Sequence, residues 1–320
     1  EVDQILAQAA IKYRCLDQRA IDFCLDAKAE VIRQSGALEY YPPEVGLEDV
    51  GGLDELKSWL KKAGYAMTEE GRKFGAPSPR GVLLTGVQGC GKSLTAKMAS
   101  SLWKVPLLRL DVGALFGGLV GQSEQQTRDA LRVALSIGGI LWIDEIEKAL
   151  GGSGELDGGT SQRVFGTLLT WMEENAGNGV FVFATANDIG ALKPELIRRF
   201  TETFFVDVPQ EQERAEIARI HLSKVNRNLD TQTVAQATEG FTGSEIEKVV
   251  HTALWNCLGT GNDITTADLV QAAQETVPLT VTMREKINQM RQWANVARPA
   301  SSKQESGRQT APKRSIAVEL

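Results

Sequence analysis

The chain is poor in the residues that staple small secreted proteins or hold transition metals. Its 320 residues include four cysteines and two histidines. Cys15, Cys24, Cys90 and Cys257 form no C-x-x-C pair, and only His221 and His251 could add imidazole. A disulfide framework or zinc site is therefore not expected, and a reducing cytoplasm is the simplest compartment. No apolar run approaches the roughly 20 residues of a membrane-spanning helix, and no secretory leader is recognisable. Acidic residues outnumber basic ones, 41 to 35, for a formal net charge of −6. That balance argues against a dedicated nucleic-acid binder. The chain opens on Glu1 inside a helical pattern, as expected for a piece of a longer protein.

What is present is an ordinary globular composition, 42% hydrophobic and 24% charged, long enough for about two domains. Residues 86–93 fit G-x-x-x-x-G-K-[ST]. The apolar run Gly81–Thr85 precedes them and a helical pattern follows from Leu94. Strand, glycine loop and helix N-terminus form a ready phosphate cradle: backbone N–H groups converge and the helix end adds partial positive charge. Lys92 is positioned to reach outer phosphates, and the Ser93 hydroxyl suits Mg²⁺. Cys90 lies inside the loop. The preferred reading is a small residue that fits the turn; the alternative is a thiolate favoured by the helix N-terminus, whose oxidation would block nucleotide binding.

Four more short apolar runs follow: 106–110, 140–143, 180–184 and 204–208. Helical patterns separate them, which predicts a parallel sheet covered on both faces. Chemistry on such sheets gathers beyond the carboxyl ends of the strands. There the chain places Asp144 and Glu145, then Asn187. Asp144 would orient Mg²⁺ or its waters. Glu145 would polarise a water for attack on a γ-phosphate, and Asn187 could hold that water. Arg198 and Arg199 precede the last run. An arginine here could reach a neighbouring subunit's nucleotide; a surface pair is the alternative.

Together these stretches resemble the AAA-type (AAA+) ATPases over roughly residues 47–273. The resemblance implies a P-loop α/β fold: a five-stranded parallel sheet with helices on both faces, then a small helical lid. It implies ATP and Mg²⁺, with Asp49, Val50 and Gly51 at the adenine. Gly86, Val87, Gln88, Gly89, Cys90, Gly91, Lys92, Ser93 and Leu94 would hold phosphates, and Gly243 and Ser244 would open the lid helix. Ser93 and Asp144 would hold the metal. Glu145, Asn187, Arg198 and Arg199 would be catalytic, the arginines in trans. More narrowly, the chain is similar to a group encoded in cyanobacterial and plastid genomes, on stretches such as 32–39, 108–118 and 140–148. That makes plastid stroma the alternative compartment.

Two departures stand out. The arginine segment is short, with Thr201 in place of an acid, so the arginine acting in trans stays open. Leu119 occupies the slot where threading members carry an aromatic.

The expected divisions are an N-terminal helical segment and linker (1–45), an α/β ATPase subdomain (46–209) and a helical lid (210–275). A C-terminal helix (276–297) and a disordered tail (298–320) follow. Residues 68–80 read as loop, and Ser244 and Thr266 as N-caps. The expected function is ATP hydrolysis by a homo-oligomer, a hexamer by resemblance, that remodels a protein client. An ATP-controlled assembly module with slow hydrolysis is the alternative, and a nucleic-acid-dependent ATPase ranks below both. No membrane association is expected.

Overall fold

The computed structural model describes residues 36–302 except 116–121, 150–159, 176, 260–261 and 295–296, and a few positions of 1–35. The N-terminal helical segment falls largely outside the described residues, as do Leu119 and residues 303–320.

A mixed α/β sheet forms the body. Its strands are β1 (Leu38–Tyr41), β2 (Gly81–Gly86), β3 (Leu107–Leu110), β4 (Gly139–Ile143), β5 (Val180–Ala186), β6 (Glu202–Val206) and β7 (Arg298–Pro299). They lie in the order β1-β3-β4-β5-β2-β6-β7. The five expected strands form the parallel centre, with antiparallel β1 at one edge and parallel β7 at the other. Every residue of β2 and β5 is buried. Covered on both faces, such strands read as unbroken apolar runs.

Alternation along these strands feeds two cores. Leu83, Leu141, Ile143, Val182 and Ala184 face one side. Val82, Leu84, Ile140, Trp142, Phe181 and Phe183 face the other. The second core takes Leu56 and Leu60 from α1 (Asp54–Ala66) and Ala96, Met98 and Ala99 from α2 (Lys92–Trp103). The first takes Ala130, Leu131 and Ala134 from α3 (Gln122–Ile137), and Phe165, Leu168 and Met172 from α4 (Thr160–Asn175). Each fully buried large side chain contributes about 1.5–3 kcal/mol.

A third core belongs to the lid: α5 (Glu211–Lys224), α6 (Thr231–Ala237), α7 (Gly243–Cys257) and α8 (Thr266–Gln274). The caps sit earlier than expected. Thr242 accepts from Glu245 N and Thr265 from Asp268 N, and both acids return a bond to the cap residue's own N–H. These are reciprocal capping boxes. They need the acid three residues on. Thr266 has Leu269 instead of an acid at that spacing, and Ser244 already lies inside the helix that Thr242 opens.

Three divisions need correcting. Residues 38–41 belong to the ATPase sheet rather than to the linker segment, because β1 pairs with β3 along its whole length. Within 68–80, Glu69–Lys73 is a short helix capped by Thr68. Residues 298–302 are not tail. Ala300 is buried, donates to Phe205 O at 3.0 Å and accepts from Leu56 N at 3.0 Å, and Arg298 pairs with Glu55 at 2.8 Å.

The last helix, α9 (Arg284–Trp293), seats Ile287 in the core shared with α1 and α2. Ile287→Ala should cost about 2–5 kcal/mol, seen as a lower urea midpoint of the whole chain. An unchanged midpoint would mean that α9 is not part of the folded body.

Candidate nucleotide-binding site

The phosphate loop leaves β2 where chain order reverses, since β5 lies on one side of β2 and β6 on the other. Two glycines are dictated by close approach. At Gly86 (φ +131°) a Cβ would fall 2.1 Å from Val206 O. At Gly89 (φ +74°) it would fall 2.1 Å from Ser244 Oγ. Ser244 N in turn donates to Gly89 O at 3.0 Å, so the first turn of α7 rests on the loop. Lys92 is buried and its ammonium donates to Gly86 O (2.8 Å) and Val87 O (2.7 Å). Burial lowers its pKa to about 8, against the pull of nearby Glu147, Asp144 and Glu145. Gly86 and Val87 stand behind the loop. Residues Gln88 to Leu94 face the cleft.

Strand register brings the acids in. β4 is two strands from β2, and β5 lies between them. Ile143 pairs with Ala184, which sets Asp144 beside Thr185. Thr185 Oγ1 donates to Asp144 Oδ1 at 2.5 Å and accepts from Glu145 N at 3.0 Å. Ser93 Oγ donates to the same Asp144 oxygen at 2.9 Å. Glu145 adopts φ +50°, a left-handed backbone uncommon outside glycine and often found at functional sites,. Its carboxylate accepts from Asn187 Nδ2 at 2.8 Å and forms an ion pair with Lys148. Asn187 N donates to Glu147 Oε1 at 2.9 Å.

The cleft encloses about 590 Å³ between sheet and lid. Asp49, Val50 and Gly51 line one end, and Gly243 and Ser244 also reach it. The segment after Val50 is gripped by the lid: Gly52 N donates to Glu216 Oε2 (2.7 Å) and Leu53 N to Glu213 Oε1 (3.1 Å). Leu53, Thr185, Ile217, Ile220, His221, Lys224 and Glu247 also line the cleft, and sequence reasoning missed them. The three-to-four spacing of Ile217, Ile220, His221 and Lys224 marks one helical face, the signal that was available for four of them.

Arg198 and Arg199 do not line this cleft. Arg198 is exposed, and Arg199 pairs with Glu173 of α4 at 2.8 Å. Cys90 is not thiolate-prone. Burial pushes its pKa up to about 12, outweighing the opposing pull of Lys92 and the Gly243 N–H,.

Among the described residues no three His, Cys, Asp or Glu side chains gather as a metal cage. Mg²⁺ keeps most of its waters and takes few, hard oxygen ligands from protein. The Ser93 hydroxyl and Asp144 carboxylate, already 2.9 Å apart, fit that need.

This combination of sheet order, glycine loop and paired acids defines a P-loop ATPase class. Residues 82–208 match the family described as "ATPase family associated with various cellular activities (AAA)". The chain thus carries an AAA domain. It is similar to the "Uncharacterized AAA domain-containing protein ycf46" of Guillardia theta, 40% identical over 306 residues, covering 93% of this chain and 60% of that one. The protein of the same description from Pyropia yezoensis is 40% identical over 305 residues, covering 93% and 62%. The chain thus spans about three fifths of the length of these relatives, which are plastid-encoded. Among solved structures, the FIGL-1 AAA domain superposes with a TM-score of 0.70 at 20% identity, covering 85% of this chain and 95% of that one, a likeness of fold. No helix among the described residues is long and apolar enough to cross a membrane.

The buried Cys90 thiol sets an expected pH behaviour. Its folded pKa lies above the ordinary 9.0, so its contribution to stability is full below pH 9 and is lost as pH rises toward 12. At pH 8 iodoacetamide should leave Cys90 unmodified in the folded chain and label it in urea, read by peptide mass spectrometry. Rapid labelling of the folded protein would show an exposed, activated thiol.

Proposed function

We propose that the chain hydrolyses ATP with Mg²⁺, as the motor part of a homo-oligomer that remodels a protein client. One observation carries the chemistry: Ser93, Thr185 and Asp144 are joined by hydrogen bonds beside the phosphate loop, with Glu145 tied next to them by Asn187. Bound Mg²⁺ would orient and screen the outer phosphates. Lys92, released from its own loop carbonyls, holds phosphate oxygens. Glu145 accepts the proton of the water attacking the γ-phosphorus, and Asn187 fixes that carboxylate and the water.

The oligomer and client rest on the AAA domain. Arg198 and Arg199 lie outside their own cleft, as an arginine serving a neighbour's nucleotide must. A ring, hexameric by resemblance, supplies such a neighbour. The plastid-encoded relatives make plastid stroma the compartment we favour over the cytoplasm.

A second reading has its own support. The Glu145 carboxylate is held by Lys148 as well as Asn187. A carboxylate tied to two partners must break a contact before it can turn toward an attacking water, which suits slow hydrolysis that times an assembly.

Glu145→Gln should lower kcat at least about 100-fold while ATP affinity, measured by calorimetry, stays within about threefold of wild type. Full turnover in this variant would sink the assignment. Lys148→Ala separates the two readings: faster turnover supports the timer, and unchanged turnover supports the motor.

A further inference from the structure

Asn187 is held at two points, and only one of them is its amide. Its side chain reaches Glu145, but its backbone N–H is taken by Glu147 Oε1 at 2.9 Å. Glu147 belongs to the turn after β4, and Asn187 to the end of β5. Thr185 ties the same two strand ends one step earlier, through Asp144 and Glu145 N. The two ties are two residues apart on the β5 side, at Thr185 and Asn187, and both hold the spacing between Glu145 and Asn187.

We propose that Glu147 is a positioning residue for ATP hydrolysis: it fixes the main chain of Asn187 so that the Asn187 amide holds the Glu145 carboxylate in line with the outer phosphate. The proposal rests on the ATPase reading above. The local chemistry supports a placed acid rather than a solubilising one. Glu147 is half-buried, and its Oε2 is buried with no hydrogen-bond partner, a costly place for a carboxylate. Burial raises its pKa, Asn187 N–H and Lys92 oppose that rise, and neighbouring Glu145 adds to it. The side chain is thus held within the electrostatic reach of both reactive groups.

A positioning residue acts through its partner, and this gives the test. Single-turnover and steady-state hydrolysis would be measured for wild type, Glu147→Ala, Asn187→Ala, the double variant and Glu147→Gln, with ATP and ADP affinities by calorimetry and melting curves alongside. Glu147→Ala should lower kcat about 10–100-fold and shift KM no further than Asn187→Ala does. The double variant should be no slower than Asn187→Ala alone. Glu147→Gln keeps an oxygen acceptor for the Asn187 N–H and should restore kcat to within about tenfold of wild type. Both Ala variants should lose preference for ATP over ADP together, a binding readout that needs no turnover. Independent, multiplying effects of the two Ala substitutions would overturn the proposal. So would wild-type kcat in Glu147→Ala. If Glu147→Ala does not fold, a Glu147→Gln chain that melts like wild type yet loses kcat as Asn187→Ala does also overturns it. A wild-type chain that binds ATP without splitting it overturns the ATPase reading and this role with it, whereas an active wild type with additive variants overturns only the role of Glu147.

Discussion

The Thr185 hydroxyl is the hinge of the whole arrangement. It sits on β5, the strand that separates the phosphate-loop strand β2 from the acid-bearing strand β4. It donates to Asp144 and accepts from Glu145 N. Ser93, at the start of α2, meets the same Asp144 oxygen. Three elements far apart in sequence are thereby locked to one carboxylate. The parallel register makes this possible, since a shift of one residue between β4 and β5 would turn every side chain to the opposite face and remove Thr185 from Asp144.

Around that lock the lid closes by main-chain contacts. Ser244 N rests on Gly89 O, and Glu213 and Glu216 hold the N–H groups of Leu53 and Gly52. The lid is thus bonded to the phosphate loop through α7 and to the segment after Val50 through α5.

The parallel centre of the sheet was readable because its strands are covered on both faces and appear as unbroken apolar runs. β1 and β7 were not readable: each is short, lies at an edge, and carries polar residues such as Glu39 and Arg298 that mask a strand pattern. The phosphate loop and the paired acids were legible because their chemistry demands fixed residue types at fixed spacing. Thr185 was not, because a threonine inside a β strand is ordinary until the register sets it beside Asp144. His221, Lys224 and Glu247 enter the cleft only through the packing of lid on sheet. For Cys90 the sequence showed only a place near a helix N-terminus and a small residue in a turn; the burial that keeps its thiol protonated is visible only in the packed loop.

The central claim is that the outer phosphates of ATP lie over Gly89–Ser93 and face Asp144 and Glu145. A crystal structure of the chain with a non-hydrolysable ATP analogue and Mg²⁺ tests it most directly. The account predicts the triphosphate along the loop, Lys92 turned from Gly86 O and Val87 O to phosphate oxygens, and the metal beside Ser93 and Asp144. A nucleotide bound elsewhere, or Lys92 still folded onto its own loop beneath a bound triphosphate, would contradict it.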